Sequence, residues 1–494
     1  MKRNSAIIIV LMAVIVGLLA TLASSIVERK YEVRQYRMSG NDLTQDTTQN
    51  SKWGQYYPYQ YQSFLAATKE GDESTIVHDE LAANPGLVFL WGGYGFSKDY
   101  NKPRGHTFAV VDTINSLRTG APADENSGPM PATCWTCKSP DVPRVMKRDG
   151  VDSYYTGKWA RHGKDIVNPI GCADCHDAQT MELKLSRPAL VEALRIEGVD
   201  LERVRHSEMK NLVCAQCHVE YYFTDKETNK LKFPWDKGTK IENVISYYDD
   251  IDFKDWTHGI SKAPMLKAQH PGYELFKEGI HYKRGVSCVD CHMPYKTEGG
   301  VKYTDHHVQS PLQNVQNSCQ QCHRADSQEL ISNVMDLKEK MIELKSTVEK
   351  MIIRSHFEAK KAWELGASKK QMESALKLIR HAQMRWDYAT AAHGAFFHAP
   401  EEVLRILGLS IKNAADAREE LGSVLRGLGF NGVVNVPDYS SKEKAQEYMG
   451  LNIAKEEVSK KEFIKNTVEK KWLNKDNPNV DKKYIDYVTP ELDK

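Results

Sequence analysis

The sequence lacks an excess of charge of either sign. Its 494 residues include 67 Lys plus Arg and 66 Asp plus Glu, which gives a formal net charge of +1. Because acids and bases are interleaved along the chain, no large field of one sign is expected, and nucleic acid is not indicated as a partner. The lysine-rich stretch KEEVSKKEF at 455–463 is accordingly interpreted as a solvated helix face.

Long apolar runs are missing beyond the N-terminus. The run AIIIVLMAVIVGLLATLA at 6–23 is near the ~18 residues at which a membrane span becomes possible. Lys2 and Arg3 precede it, and two serines follow. This order is typical of a secretory signal, or of an anchor if the segment is not removed. We therefore predict export to the periplasm, directed by residues 1–25.

Strand patterns and glycine-rich loops are also scarce. WGGYG at 91–95 is an isolated glycine cluster, typical of a turn rather than of a nucleotide-binding loop. The scarcity of alternating apolar and polar residues favours a mainly α fold.

No cysteine stands outside a CxxC pair. The ten cysteines form the five motifs CWTCK (134–138), CADCH (172–176), CAQCH (214–218), CVDCH (288–292) and CQQCH (319–323). CxxCH is the attachment signature of c-type haem, in which two thiols bind the porphyrin and the histidine reaches the iron. Neither a disulfide framework nor a zinc site requires a histidine after the second cysteine four times. We therefore predict covalent haem at four motifs and, by association, at CWTCK.

The first motif ends in Lys138 where the others have histidine. A lysine amine binds iron only when it is deprotonated, which requires burial beside the metal. Lys138 is therefore either the ligand of a haem whose other face is open to substrate, or an exposed lysine after an unusual CxxC pair. Low-spin haems need a sixth ligand, usually imidazole, and thirteen histidines outside the motifs are candidates.

CxxCK followed by four CxxCH resembles the pentahaem cytochrome c nitrite reductases, which form ammonia from nitrite. Further segments match this family: LRTG at 117–120, CHVEYYF at 217–223 and LKAQHPGYE at 266–274. The match covers about residues 50 to 430. It implies a multihaem cytochrome c fold with the haems packed in the core, and six-electron reduction of nitrite to ammonium at a lysine-ligated haem.

The resemblance also assigns residues. The catalytic set is Arg118, Tyr221, His270 and Lys138. The five haem c groups are held by Cys134, Cys137, Lys138, Cys172, Cys175, His176, Cys214, Cys217, His218, Cys288, Cys291, His292, Cys319, Cys322 and His323. The distal ligands are His307 for the second motif, His106 for the third, His398 for the fourth and His281 for the fifth. His306 and His393 are the neighbouring alternatives to His307 and His398.

A calcium site follows from the resemblance alone. Its ligands are Glu220, the carbonyls of Tyr221 and Lys267, and the side chain of Gln269. These are hard oxygen donors of the kind that Ca²⁺ prefers. Because the two segments are far apart in sequence, the residues by themselves do not indicate the site.

Long helices are predicted after the last motif. Residues 325–365 contain neither Gly nor Pro, and apolar residues recur every three or four positions. Further helices are expected at about 370–392 and from Pro400 onward. We divide the chain into the segment 1–25, a haem-binding catalytic region 26–323, a long-helix region 324–435 and a charged C-terminal tail 436–494. The apolar seam fits packing within the chain or self-association, and the resemblance favours a homodimer.

Two other functions are weighed against nitrite reduction. One is a non-catalytic pentahaem electron conduit, and the other is a related reductase acting mainly on hydroxylamine or sulfite. The resemblance implies a multihaem electron donor, either a membrane quinol oxidiser or a soluble shuttle.

Overall fold

The N-terminal segment forms one long helix. The computed structural model describes residues 2–38, 42–68, 79–225 and 227–492. Helix α1 spans Lys2–Met38, and its stretch Ile7–Glu28 is the one helical segment in these ranges that is long and apolar enough to cross a membrane. None of that stretch is buried against the rest of the chain. This is compatible with the predicted signal peptide or anchor.

Short helices carry the part of the chain that holds the five CxxC pairs. They are α2 Asn50–Trp53, α3 Pro58–Ala66, α4 Glu80–Ala83, α5 Gly86–Leu90, α6 Ala109–Asn115, α7 Asp141–Asp149, α8 Val151–Tyr155, α9 Cys172–Cys175, α10 Pro188–Ile196, α11 His206–Ala215, α12 Ile241–Asp250, α13 Gly272–Glu278, α14 Ile280–Lys283 and α15 Cys288–His292. Single 3-10 turns add Gly95–Ser97, His106–Phe108, Leu117–Thr119, Ala132–Trp135, Trp159–His162, Leu201–Arg203, Pro311–Gln313 and Cys319–Gln321.

Strand within the described ranges is limited to three small antiparallel ladders. They pair β1 Tyr222–Phe223 with β2 Leu231–Lys232, β3 Trp256–Thr257 with β4 Pro264–Met265, and β5 Tyr295–Glu298 with β6 Val301–Thr304. The prediction of a mainly α fold is confirmed.

Long helices follow the last motif, as the periodicity predicts. They are α16 Ser327–Glu364, α17 Lys369–Ala391 and α19 Pro400–Gly427, with the single turn α18 Ala395–His398 before the last. Each start has a local cause. The Asp326 carboxylate accepts from the Glu329 amide at 3.0 Å, Ser368 and Gln371 form a capping box, and Pro400 occupies a first turn.

The three long helices pack against one another and share one hydrophobic core with residues 86–91 and 241–268. The end of α16 from Val348 onward is buried in this core, whereas its seam from Leu330 to Leu344 is only half-buried. The first half of α16 therefore presents apolar surface that this chain does not cover completely.

The C-terminal segment continues as α20 Lys442–Tyr448, α21 Ile453–Phe463, a π-helix Ile464–Trp472, α22 Lys482–Val488 and a 3-10 turn Thr489–Glu491. It packs on the region of the first CxxC motif. The ring centroids of Phe463 and Trp472 lie 6.2 and 5.3 Å from that of Trp159. The segment is therefore part of a second hydrophobic core around that motif.

The expectation of a solvated face at 455–463 is wrong for two residues. Lys460 and Phe463 are 4% and 6% exposed. The prediction rested on the number of lysines, but a helix that is polar on most of its surface can still bury one narrow stripe of side chains. The division into four regions stays a prediction, and residues 493 and 494 of the last one lie outside the described ranges.

Candidate active site

A cavity of about 2300 Å³ runs through the middle of the chain. Nine of the ten cysteines line it, and the tenth, Cys322, is exposed. Pockets for single small molecules measure ~300–1,000 Å³, so this cavity has room for several large groups. Its size and its cysteine lining fit covalently attached porphyrins.

Each CxxC pair lies on a tight helical turn. In the second, third and fifth motifs the histidine amide donates to the carbonyl of the first cysteine, at 3.0, 2.9 and 2.9 Å. Residues three and four positions apart share one side of a helix, so both thiols and the histidine face the same way. The amide of Lys138 donates instead to the carbonyl of Trp135 at 2.9 Å, so the first motif ends in a 3-10 hydrogen bond.

Each motif histidine faces a second imidazole. The ring centroids are 6.2 Å apart in all four pairs, which are His176 with His306, His218 with His106, His292 with His398 and His323 with His281. Two metal–imidazole bonds of about 2 Å each, together with the two ring radii, span such a gap. Each pair therefore has the right spacing to hold one iron.

His306, and not the predicted His307, is the partner of His176. The Nδ1 of His306 donates to the carbonyl of Thr304 at 2.8 Å, and the Nδ1 of His176 donates to that of Met181 at 3.0 Å. Both rings thus leave Nε2 free for a metal. The ring contact at ligand spacing is therefore made by His306, in the segment that follows β6. The assignment of His307 is wrong by one position.

The HGAFFH segment supplies His398 to the fourth motif. The single turn α18 carries His398 opposite His292, whose Nδ1 donates to the carbonyl of Gln309 at 2.8 Å. His393 also lines the cavity. Of the two candidates, His398 is the one that lies at the ligand spacing.

Lys138 lies half-buried on the same cavity. The indole of Trp135, three residues earlier, stacks on that of Trp159 with centroids 4.9 Å apart and an interplanar angle of 12°. Its Nε1 also donates to the carbonyl of Trp159 at 2.8 Å. These contacts anchor the turn from which the lysine side chain extends.

A buried arginine joins the first two motifs. Arg187 is 1% exposed, and its guanidinium donates to the carbonyls of Thr136 and Ser139 at 2.6 and 2.8 Å. It also pairs with the carboxylate of Asp174 at 2.6 Å, between the two cysteines of the second motif. Thr136 and Ser139 lie on either side of Lys138 in sequence, so one rigid donor group sets the position of both motifs. Sequence reasoning missed Arg187 because no motif surrounds it.

Arg118 is held on the 3-10 turn Leu117–Thr119. Its backbone amide and its Nε both donate to the hydroxyl of Ser116, each at 3.2 Å. Its guanidinium lies 4.2 Å above the ring of Phe96, within the range of a cation–π contact. Gly120 ends the turn with φ 68°, a conformation that favours glycine. The turn thus presents a cation at the cavity wall.

Tyr221 and His270 lie side by side, with ring centroids 6.4 Å apart, and both line the cavity. Burial holds the pKa of His270 well below its usual range, and the nearby charge of Lys138 lowers that pKa further. Burial raises the pKa of Tyr221 well above its usual range. The pocket beside Lys138 therefore contains a neutral imidazole and a protonated phenol at neutral pH.

The predicted calcium ligands converge from two segments. Glu220 is fully buried, and its carboxylate accepts from the amide of Gln269 at 2.7 Å and from the hydroxyl of Tyr248 at 3.0 Å. The side chain of Gln269 lies 3.3 Å from the carbonyl of Lys267. These hydrogen-bond partners are neutral, so a buried carboxylate and a carbonyl are available to a hard cation. Tyr221 follows Glu220 directly in the chain.

The side chain of Lys267 is engaged elsewhere. Its Nζ pairs with the carboxylate of Asp387 at 2.9 and 3.0 Å, and that carboxylate also accepts from the amide of Ala268 at 2.7 Å. The backbone carbonyl of Lys267, and not its side chain, is therefore the group that remains as a predicted calcium ligand. Within the described ranges, no three or more His, Cys, Asp and Glu side chains cluster so that they could hold a metal ion. The predicted calcium ligands do not form such a cluster, because only one of them is a carboxylate and the others are carbonyl and amide oxygens.

Comparison with known proteins shows the family of the chain. The sequence model of the cytochrome c552 family matches residues 49–480. Cytochrome c-552 of Parabacteroides distasonis is 50% identical over 471 residues, and that of Bacteroides fragilis is 49% identical over 470; each alignment covers 94% of this chain and 95% of the relative. The solved cytochrome c nitrite reductase of Desulfovibrio desulfuricans, a catalytic subunit with two calcium sites, is 30% identical with a TM-score of 0.72. The structural match covers 84% of this chain and 91% of the chain of that nitrite reductase.

The fold and the cysteine-lined cavity define a multihaem c-type cytochrome. The chain belongs to the cytochrome c552 family. The predicted resemblance to the pentahaem nitrite reductases is thereby confirmed, and the cofactors are covalently bound haem c groups, one for each of the five CxxC pairs.

Proposed function

We propose that this protein reduces nitrite to ammonium at the haem held by Cys134, Cys137 and Lys138, and that four haems with two histidine ligands supply the electrons. One contrast carries the proposal. Four motif histidines each face an imidazole at 6.2 Å, whereas Lys138 lies close enough to His270 for its charge to lower the pKa of that imidazole, which lies beside Tyr221. A site of this kind suits catalysis rather than electron storage alone.

The reaction converts nitrite into ammonium with six electrons and eight protons. When bound, the haem of the first motif would supply the iron that holds the substrate nitrogen and the electrons that reduce it. The chain itself would bind the anion, exclude water and supply protons.

Arg118 would bind the anion. A planar guanidinium can donate two parallel hydrogen bonds to two oxygen atoms of one anion. The bonds from Arg118 to Ser116 and its contact with Phe96 restrict its rotamers, so little entropy is lost when the substrate arrives. Its charge would also attract nitrite into the cavity.

His270 and Tyr221 would supply protons and hydrogen bonds to the oxygen atoms that leave as water. The phenol stays protonated at neutral pH and can donate. The imidazole can pass on a proton taken from solvent. The spacing of 6.4 Å between their rings allows both to reach one small molecule.

We also propose Ca²⁺ at Glu220, Gln269 and the carbonyls of Tyr221 and Lys267. These residues flank Tyr221 and His270, so a cation there would hold both side chains in register. Removal of calcium with a chelator would then lower turnover without loss of haem.

The location and partners follow from the same proposal. The apolar part of α1 would direct the protein to the periplasm or anchor it there. A multihaem electron donor, either a membrane quinol oxidiser or a soluble shuttle, would reduce the outer haems. The half-buried seam of α16 from Leu330 to Leu344 would pair with a second copy in a homodimer.

Two substitutions test the pocket. His270→Asn should lower nitrite turnover by about 10² or more, since it removes a proton donor. Tyr221→Phe should lower turnover by about tenfold, the effect of one lost hydrogen bond. The assay follows nitrite consumption and ammonium formation without oxygen, with a chemical electron donor. It is repeated with hydroxylamine and sulfite.

The matched control is Tyr487→Phe, the same change at a tyrosine that is 37% exposed. It should retain full turnover and haem content. Full turnover by His270→Asn would remove that residue from the mechanism. A wild-type protein that carries five haems and reduces none of the three substrates would favour the electron conduit.

A further inference from the structure

We propose that Lys460, from the C-terminal helix α21, is a positioning residue for Arg118. This inference rests on the proposed function in assuming that Arg118 binds the anion. The inference gives the C-terminal helix α21, which carries none of the haem motifs, a role in the candidate active site.

Lys460 reaches the turn that carries Arg118 through two hydrogen bonds. Its Nζ donates to the carbonyl of Ile114 at 3.0 Å and to the hydroxyl of Thr119 at 2.9 Å. Ile114 lies near the end of α6 and Thr119 is the last residue of the turn. The lysine thus ties together both ends of the segment 114–119.

Thr119 passes this restraint on to Ser116. Its hydroxyl is 2.8 Å from the carbonyl of Ser116 and 3.1 Å from that of Thr113, so it donates within the turn while it accepts from Lys460. The hydroxyl of Ser116 is in turn the acceptor for both the amide and the Nε of Arg118. Two sets of hydrogen bonds that meet at Ser116, one at its carbonyl and one at its hydroxyl, therefore link Lys460 to the guanidinium.

The site of Lys460 is specific to a long amine. The residue is 4% exposed, and its ammonium lies 5.8 Å from the ring of Trp159 and 5.5 Å from that of Phe463. Burial of a lysine is costly unless its donors are satisfied. Burial lowers the pKa of Lys460 to about 7. A neutral amine keeps two N–H groups, which is enough for both acceptors, so the restraint holds on either side of that pH.

The other side of the turn has its own anchor. The carboxylate of Asp99 accepts from the amide of Leu117 at 2.9 Å. Since Asp99 holds the start of the turn at Leu117, loss of Lys460 should loosen the end at Thr119 rather than unfold the segment. The effect should therefore fall on the placement of Arg118.

The first experiment measures nitrite binding to the oxidised full-length holoprotein by calorimetry, without turnover. Lys460→Met should weaken binding by about tenfold, equivalent to about 1.4 kcal/mol. Thr119→Val removes the acceptor at the other end of the same contact and should weaken binding in the same direction. The double variant should bind nitrite no more weakly than the single variant with the lower affinity, because both substitutions break the same contact between Lys460 and Thr119. In turnover assays, KM should rise more than kcat falls.

The matched control is Lys455→Met, the same change at an exposed position of α21. It should bind nitrite as the wild-type protein does, and all variants should keep five haems. Wild-type affinity in both single variants would overturn the inference, as would independent and additive losses in the double variant.

The second experiment keeps the inference testable if the wild-type protein does not bind nitrite, a result that would count against the proposed function alone. Amide hydrogen exchange of residues 114–120 should be faster in Lys460→Met than in Lys455→Met. Equal exchange in the two variants would overturn the positioning role of Lys460, whatever the substrate is.

Discussion

At the scale of single residues, the first motif differs from the others in how its proposed iron ligand is held. His176 and His292 are each fixed by a hydrogen bond from Nδ1 to a backbone carbonyl, which aims Nε2. Lysine has no second nitrogen to anchor, and its four-carbon stem is flexible. The place of the Lys138 amine therefore depends on its 3-10 turn and on the contacts that Arg187 makes on either side.

Replacement of Lys138 by histidine tests whether the amine matters. Lys138→His should still attach five haems, because the cysteines are unchanged, but nitrite turnover should fall by about tenfold or more since the ligand is among the factors that tune the iron. Haem content is measured by optical absorption and turnover by ammonium formation. Wild-type turnover would show that the amine is dispensable.

At the scale of secondary-structure elements, α16 meets the β3–β4 loop at a stacked pair of histidines that no haem motif uses. The rings of His258 and His356 lie 3.7 Å apart at 7°. His356 bonds to the hydroxyl of Ser261 at 2.8 Å and to the side chain of Gln383 at 2.9 Å, and His258 donates to the carbonyl of Phe89 at 2.9 Å. Both rings are buried and neutral, and their satisfied hydrogen bonds join α5, the β3–β4 loop and the long helices α16 and α17.

This pair should make the helix core sensitive to acid. Burial lowers the pKa of His356 to about 4, and burial together with the neighbouring ring lowers that of His258 well below its usual 6.5. As the pH falls, these two histidines take up protons in the unfolded chain before they do so in the folded chain. Their contribution to the free energy of unfolding is therefore fully present above about pH 6.5 and is lost as the pH falls toward 4. His356→Phe keeps a stacked ring that does not titrate.

The thermal midpoint of both proteins is measured between pH 4 and 7.5. His356→Phe should be less stable at neutral pH, because it loses two hydrogen bonds, and its midpoint should fall less steeply toward pH 4 than that of the wild-type protein. Parallel curves would show that the pair does not carry the pH dependence.

At the scale of the whole molecule, one cavity connects all five CxxC motifs. The C-terminal segment covers the first motif, where Trp472 and Tyr484 are buried in the same core as Trp135. The exposed fifth motif lies at the start of the long helices. With the proposed lysine-ligated haem in place, this arrangement would enclose that haem and leave the last haem near the surface, where an electron donor could reach it.

Spectroscopy tests this arrangement in the intact holoprotein. Optical and electron paramagnetic resonance spectra should show one high-spin haem beside four low-spin haems, because the proposal gives four irons two imidazoles each and leaves one face of the fifth iron to substrate. Five low-spin haems, together with no change on addition of nitrite, would contradict an open substrate site.

The prediction of the fold succeeded where the signal is local. CxxC spacing and the run without Gly or Pro at 325–365 depend on neighbours in sequence, and the structure has a helix at Ser327–Glu364. The choice between His306 and His307 failed, because it depends on which side chain a segment without helix or strand turns toward a distant partner. Arg187 and Lys460 were missed for a similar reason, since their partners lie 51 and 341 positions away.

The sequence by itself determined that ten cysteines form five haem-attachment pairs, that one of these carries a lysine, and that long helices follow them. Covalent attachment and helical periodicity act over a few residues and can therefore be read locally. Tertiary structure alone decided which imidazole faces each motif, how Glu220 meets Gln269, and that Lys460 is buried beside the turn of Arg118. Those contacts join segments that come together only when the apolar surfaces of the chain are buried.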